Sequence, residues 1–389
     1  MTAVDECFDA VDVDRLLAGM ERSPTCAVVI GSGWCCVDPA LVDQAVERHA
    51  EDPTIHRLAL AHAAPGLGVA VLERRLISEL ASARKAGGLW GSLGGLLGYS
   101  PVAPAADVIG KGVCVGTSPA VRQLAIRATV ETDAEARWLE RAFDAAGLSA
   151  IDATAEQLAR AINTFAATQE GAPPARHIEL RLVERGDRMP IDVAGRWLTK
   201  LETLAFAGAS VTLRNAHMEH PAFDKLLNAA RRAAGGTLCV HVRTDLCGLP
   251  EQVDRLLRAE PDIVSVDCHA STPELYVTLT GRSPEAYARL RVNIERLVEG
   301  RTRVEDGVRL PLVAPRLTRR DAVYNQLEEW YDRHLLACGW AVLDPLESPV
   351  AGERIAPLPV PTTAQRRLSA ESVVVHADGR SSGGEGGGS

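Results

Sequence analysis

The chain has no run of about 18 uncharged apolar residues, the length a membrane-crossing helix needs, so no membrane partner is expected. Its opening residues, MTAVDECFDAVDVD, lack the apolar stretch of a secretory leader. Positive charge is in deficit: 42 Lys and Arg stand against 51 Asp and Glu, a net charge of −9. A phosphate backbone needs a basic surface, so this balance argues against a nucleic-acid partner. Local basic spots such as Arg316, Arg319 and Arg320 still suit a small anion. The nine cysteines, at positions 7, 26, 35, 36, 114, 239, 247, 268 and 338, form no small-domain disulfide framework. Nowhere do they take a C-x3-C-x2-C spacing. A cytoplasmic chain with free thiols is the expectation.

What is present is α/β patterning. At 389 residues, with 46% hydrophobic and 24% charged residues, the chain is globular and long enough for two domains or three. Residues 1–147 read as one α/β unit. TCAVVIGSG (25–33) and LALAHA (58–63) have the composition of buried strands, and Pro39 opens a helix at its favoured first position. GVAVLERRLISELASARKAG has helical periodicity until Gly87 and Gly88. The Gly-rich stretch 87–104 matches no P-loop and reads as a loop. The segment 121–147 reads as a strand followed by an acid-started helix. Residues 148–174 read as a helix and a turn-rich linker.

From 175 to 346 strands and helices alternate. Strands are expected at 177–183, 210–215, 238–244, 262–269, 308–315 and 340–346. Helices are expected between them, at 191–206, 221–233, 249–258, 284–298 and 320–337. Six such units imply a parallel sheet covered by helices, either doubly wound or a partial barrel. The tail from 347 is Pro-rich, and SSGGEGGGS (381–389) reads as a flexible end.

In parallel α/β folds ligands gather at the carboxyl ends of the strands. Those ends carry Asn215, His217, Glu219 and His220 after the second strand, Asp245 and Cys247 after the third, and Asp267, Cys268 and His269 on the fourth. Imidazoles and carboxylates arriving on adjacent strands suit zinc or iron. The plainer alternative is that His217 and His220 bond to loop backbone while Asp267 and His269 cap the next helix.

The order of these segments resembles the radical-SAM enzymes. AGASVTLRNAHMEHPAFDKLLNAAR is similar to their second strand and its "L-x-H-P-x-F" turn, and LCVHVRTDLCGL to their third. DIVSVDCHASTPELYVTLTGRSPEAYARLRVNIERLVEG is similar to their fourth strand, an "E-x-Y…G" helix and a "v-x-N-I" helix. RLPLVAPRLTRRDAVYNQLEEWYDR is similar to the fifth unit. AQRRLSAESVVVHADGR resembles the opening of a SPASM segment, with Asp378 and Gly379 as its turn, so 347–380 is taken as a degenerate SPASM-like tail. The first unit resembles part of a cytidylyltransferase-like nucleotidyltransferase domain through GSGWCCVDPALVDQAV and RATVETDAEARWLERAF. The resemblance implies a partial nucleotidyltransferase-like α/β domain followed by a radical-SAM-type partial (β/α)6 barrel.

The departures bear on function. The family holds a [4Fe–4S] cluster on three closely spaced thiolates after the first strand, and HIELRLVERGDRMPIDVAGRW has none. In the first domain the family's metal-binding Asp falls on Gly33, and only Asp38 and Glu131 match carboxylate positions. The resemblance therefore implies a protein without the cluster and without radical chemistry that binds a small-molecule ligand or a partner protein. S-adenosylmethionine is a possible ligand by the same resemblance, and the barrel's strand-end residues, with Arg316, are the candidate ligand site. Two alternatives stand beside it: a metal- or acid/base-dependent enzyme using those strand ends, or nucleotide or sugar-nucleotide binding by the first domain in surface-glycan metabolism.

Overall fold

The computed structural model describes residues 17–20, 25–31, 33–85, 112, 114–168, 171, 173–184, 186–202, 209–215, 220–234, 239–305, 308–344, 352–355 and 370–383. The fold is mixed α/β with several sheets, and the chain divides into two compact units. One holds the described residues up to Arg176 and those of Thr362–Ser372, and the other holds those of His177–Pro361 and Val373–Ser382.

The first unit contains β1 (Cys26–Val29), α1 (Pro39–Glu51), β2 (Leu58–Ala61), β3 (Ala70–Glu73), α2 (Arg74–Lys85) and β4 (Cys114–Val115). A single helical turn at Pro119–Arg122 precedes α3 (Asp133–Ala146) and α4 (Ala155–Ala166). Its sheet runs β1-β3-β2-β4, with only the β2–β4 pair parallel. The helix starts are set by side-chain caps. Asp38 accepts from the Ala40 amide at 2.9 Å, while Thr132 with Glu135 and Thr154 with Gln157 close reciprocal capping boxes. Leu41, Val71, Leu124, Trp138, Phe143, Leu158 and Ile162 share the buried core beneath them.

Two expectations for this unit are corrected. The helix anticipated from residue 68 starts at Arg74, because Ala70–Glu73 forms a buried central strand between β1 and β2. The strand anticipated after 121 is absent: Leu124, Ile126 and Ala128 do alternate inward, but their segment bonds to loops instead of a ladder. Ala128 donates to the Pro65 carbonyl at 2.8 Å and Val130 to that of Gly33 at 2.8 Å. The Gly-rich stretch 87–104 lies outside the described residues.

The second unit is built on nine strands. They are β5 (His177–Glu184), β6 (Asp187–Arg188), β7 (Ser210–Asn215), β8 (Cys239–Thr244) and β9 (Ile263–Asp267), then β12 (Leu312–Thr318), β13 (Val342–Asp344), β14 (Ser372–Val375) and β15 (Ser381–Ser382). The remaining pair, β10 (Arg303–Glu305) and β11 (Val308–Leu310), makes a separate hairpin, so the strand expected at 308–315 is divided. Between the strands run α5 (Ile191–Glu202), α6 (Phe223–Ala234), α7 (Pro250–Arg258), α8 (Pro273–Thr280), α9 (Pro284–Glu299) and α10 (Leu327–Cys338). The sheet order is β13-β12-β9-β8-β7-β5-β14-β15, with β6 folded back on β5. From β5 to β13 all pairs are parallel and the order never reverses, so the sheet is not doubly wound. Ser381 and Ser382, expected in a flexible end, pair with β14 across the turn at Asp378 and Gly379.

An ion-pair network organises the first unit. Arg176, buried, pairs with Glu135 at 2.6 Å and Glu131 at 3.2 Å, and donates to the Thr129 hydroxyl at 3.0 Å. Arg127 pairs with buried Glu371 at 3.2 Å. Removing one partner of a buried pair strands the other charge in a low dielectric. Arg176→Met is expected to destabilise the protein by about 3–5 kcal/mol, read as a lower urea midpoint, whereas the exposed Arg196→Met is expected to change it by less than about 1 kcal/mol.

Candidate functional site

The strands of the second unit have unlike faces. Ile178, Leu180 and Leu182 of β5, Val211 and Leu213 of β7, Val240 and Val242 of β8, and Val264 and Val266 of β9 are buried on one side. Successive side chains point to opposite faces, so the residues between them line the other side. These are Glu179 and Arg181, Thr212 and Arg214, His241 and Arg243, Ser265 and Asp267. The register places Arg181, Arg214 and Arg243 side by side on three adjacent strands. Asp267 pairs in register with Arg316 of β12.

Carboxylates compensate this row unevenly. Arg181 has Glu179 at 2.8 Å and Glu184 at 2.7 Å. Arg243 is held by both oxygens of Asp267, its Nε lying 3.1 Å from each. Arg316 grips Asp344 in the same two-pronged way, with Nε 3.0 Å from Oδ2. Among the described residues Arg214 has only Glu179, at 3.7 Å and already shared with Arg181. Burial first, and then the adjacent Arg243, push the Arg214 guanidinium below its ordinary value, while Glu179 and Asp267 pull it up. Its side chain remains 36% exposed, so a solute can reach it.

His241 sits beneath the row, buried, with Nδ1 3.0 Å from the Thr212 hydroxyl and Nε2 2.9 Å from that of Ser265. Burial, reinforced by Arg316 and Arg243, lowers its pKa to about 3. The ring is therefore neutral at neutral pH and anchors three strands through hydroxyls.

The carboxyl ends of β8 and β9 are braced differently. Leu246 (φ 48°) and His269 (φ 61°) both adopt left-handed backbone, which side chains other than glycine, Asn and Asp seldom take. Asn293 of α9 holds the first of these loops by donating to the carbonyls of Leu246 at 2.7 Å and Gly248 at 3.0 Å. Asp245 accepts from the Cys247 amide at 3.2 Å and from Arg282 at 2.7 Å. The Cys247 thiol meets the Tyr276 hydroxyl at 2.9 Å, and burial raises its pKa. An open groove of about 630 Å³ lies beside this cluster, lined by Cys247, Gln252, Arg282, Ser283 and Arg289. Arg282 is tied there to Asp245, and Arg289 donates to the Cys247 carbonyl at 3.1 Å.

The residues singled out from sequence are thus dispersed among several jobs. His220 has Nε2 2.8 Å from the Met189 carbonyl, and its Nδ1 accepts from the Ala222 amide at 3.2 Å. Asp267 holds Arg243, and Thr272, instead of Asp267 or His269, caps the next helix. His269 lies 6.3 Å, ring to ring, from Tyr276, and burial lowers its pKa. Asn215 ends β7, while His217 and Glu219 lie outside the described residues. Arg316 and Arg320 are paired with Asp344 and Glu353. In the first unit Asp38 caps α1 and also accepts from the Ala155 amide at 2.7 Å, and Glu131 pairs with Arg176. Among the described residues no three His, Cys, Asp or Glu side chains group as a metal-ligand set. Cys239 opens β8, roughly 17 Å of extended strand from that strand's carboxyl end, where Cys247 follows. Sequence reasoning missed Arg181, Arg214, Arg243 and His241, although their alternation with valine and leucine is visible in HIELRLVE, SVTLRN and CVHVRT.

No protein-family model matches the chain, and no curated protein does. Among solved structures, the crystal structure of HydG, a maturase of the [FeFe]-hydrogenase, is similar with a TM-score of 0.34 and 10% identity. That comparison covers 61% of this chain and 62% of HydG.

The His241 environment sets a pH dependence. Its folded pKa lies below the unfolded value of about 6.5, so the unfolded chain takes up the proton first as pH falls. This contribution to stability is complete above pH ~6.5 and is lost as pH falls toward the folded value of about 3. The drop in urea midpoint between pH 7.5 and 4.5 is expected to be smaller in His241→Gln than in the natural sequence.

Proposed function

We propose that the parallel-sheet unit is a radical-SAM-like scaffold that works without the iron–sulfur cluster and binds an anionic small molecule on its arginine-lined face. One observation carries the ligand class: Arg181, Arg214 and Arg243 stand in register, and among the described residues Arg214 has no carboxylate within 3.5 Å. A guanidinium is a planar fork that matches carboxylate and phosphate oxygens, and an unmatched one that solvent still reaches is a site for such a group. The scaffold reading is supported by the unreversed strand order from β5 to β13 together with the order of family-like segments in the sequence.

The chain's residues do not fit a [4Fe–4S] cluster. Such a cluster is held by thiolates, whereas ERGDRMP, at the end of β5 and through β6, supplies carboxylates, arginines and a thioether. Cys268 is buried and held protonated, its pKa raised chiefly by burial. What this face does is hold a carboxylate or phosphate over Arg214, with Arg181 and Arg243 kept in place by their own carboxylates. S-adenosylmethionine, through its carboxylate, and cytidine nucleotides, through their phosphates, belong to this class.

The test is a thermal-shift and calorimetric screen of S-adenosylmethionine, CTP, CMP-sugars and inorganic phosphate against the natural protein and Arg214→Gln. A ligand at 100 times its Kd raises stability by about 2.7 kcal/mol. Loss of one charged hydrogen-bond partner is expected to weaken binding by about 1.5–3 kcal/mol, roughly ten- to a hundredfold. No shift with any of these anions, or full binding retained in Arg214→Gln, overturns the ligand reading. Anaerobic incubation with iron and sulfide is expected to give no absorbance near ~400 nm from thiolate-to-iron transitions, and a stoichiometric cluster overturns the scaffold reading.

A further inference from the structure

We propose that Cys35, held beside Cys36 in the loop between β1 and α1, is a modification site that takes low-molecular-weight disulfides as mixed disulfides. The two sulfurs lie 3.6 Å apart, and the two side chains occupy opposite environments. Cys36 is 2% exposed and packs in the core with Leu41 and Ala128, whereas Cys35 faces solvent. Of the other described cysteines, Cys247, Cys268 and Cys338 are buried, and Cys26, Cys114 and Cys239 are only partly accessible.

The loop is held firmly. The Gly33 carbonyl accepts from Val130 at 2.8 Å and from Cys35 at 3.1 Å, and Trp34 donates to the Gly31 carbonyl at 3.0 Å. Gly33 approaches the neighbouring backbone so closely that a Cβ there would lie 2.6 Å from the Val130 oxygen. Cys36 keeps its proton, because its interaction with Cys35 and its burial both push its pKa up. It then serves as the S–H donor to the Cys35 sulfur. That hydrogen bond is the main cause of a Cys35 pKa near 7, with the Cys35 amide adding a smaller effect against partial burial. The charged groups on the packed segments are otherwise engaged: Glu131, beside Gly33, pairs with Arg176, and Asp38 accepts from two helix amides.

The chemistry is thiol–disulfide exchange. The Cys35 thiolate attacks one sulfur of RS–SR, a Cys35–SR bond forms as the S–S bond breaks, and RS⁻ leaves and takes a proton from solvent. A second exchange by Cys36 is disfavoured on two counts. Its thiol stays protonated, and adjacent residues have Cα atoms about 3.8 Å apart, short of the ~4.4 Å minimum usual for a disulfide. The mixed disulfide is therefore the product that persists.

The natural chain is incubated with glutathione disulfide between pH 6 and 9, and adducts are assigned by peptide mass spectrometry, which also resolves Cys7. The Cys35 peptide is expected to gain one glutathione first, at a rate rising with a midpoint near pH 7. Cys36→Ala is expected to move the midpoint toward the ordinary thiol value of 9.0. At pH 7 that costs about fiftyfold in thiolate but restores part of the nucleophilicity, a net loss of roughly sixfold in rate. Cys36→Ser keeps a hydrogen-bond donor and is expected to restore the midpoint most of the way. First reaction at another cysteine, a Cys35–Cys36 disulfide as the main product, or a midpoint near 9 in the natural chain each overturns the proposal, and none of these depends on a variant folding.

Discussion

Three guanidinium-bearing residues in register across adjacent strands are the constraint around which the second unit is arranged. Neighbouring strands lie about 4.8 Å apart, and two unit charges at that spacing repel by roughly 3.5 kcal/mol at an effective dielectric of ~20. The sheet tolerates this because carboxylates are interleaved with the row. Glu179 precedes Arg181 by two residues on the same face, Glu184 follows it, and Asp267 reaches Arg243 from the next strand. The neutrality of His241 belongs to the same balance, since a protonated ring between Arg243 and Arg316 would add a further like charge. Arg214 is the place where the compensation runs short.

Much of the fold was legible because its signals are local. Pro39, Pro250, Pro273 and Pro284 each sit at the start of a helix, and Thr132 and Thr154 stand three residues before the Glu and Gln that complete their capping boxes. The parallel strands were legible from short apolar runs separated by helix-length segments. What misled was burial without its periodicity. VAVLE, joined to a helix with no turn residue between, reads as the helix's first turn until its neighbours β1 and β2 claim it. Leu124, Ile126 and Ala128 alternate as a strand would, yet their partners are loop carbonyls that sequence does not reveal.

The candidate site was harder to read for a related reason. Attention to strand ends selected His220, Asp245, Asp267 and His269, of which Asp245 follows β8 and Asp267 and His269 close or follow β9. What their chemistry serves depends on partners far away in sequence: Asp245 on Arg282, Asp267 on Arg243, His220 on Met189. Tyr276 and Asn293, quoted as parts of family-like motifs, act as braces on the β8 loop. A brace there has a clear physical use. Leu246 in left-handed backbone costs of order 1–3 kcal/mol, and such a conformation persists only where surrounding bonds over-determine it. The mid-strand arginines needed a different step, which was to ask what each strand shows on its second face.

The two charge networks have opposite physical characters, and the difference explains why only one is read as a binding surface. Arg176 is 2% exposed and meets Glu131 and Glu135 inside the first unit. A cation so enclosed is matched by carboxylates already in place, and a ligand would have to displace one of them into a low dielectric, a cost no single new contact offsets. Arg181, Arg214, Arg243 and Arg316 on the second unit keep between 10% and 36% of their side chains in solvent. Their desolvation is incomplete, so an incoming anion displaces water instead of a carboxylate. At Arg214 the one carboxylate partner among the described residues, Glu179, lies 3.7 Å away and is shared with Arg181. Exposure and incomplete pairing coincide at Arg214, and either without the other would leave an ordinary surface arginine or an ordinary buried pair.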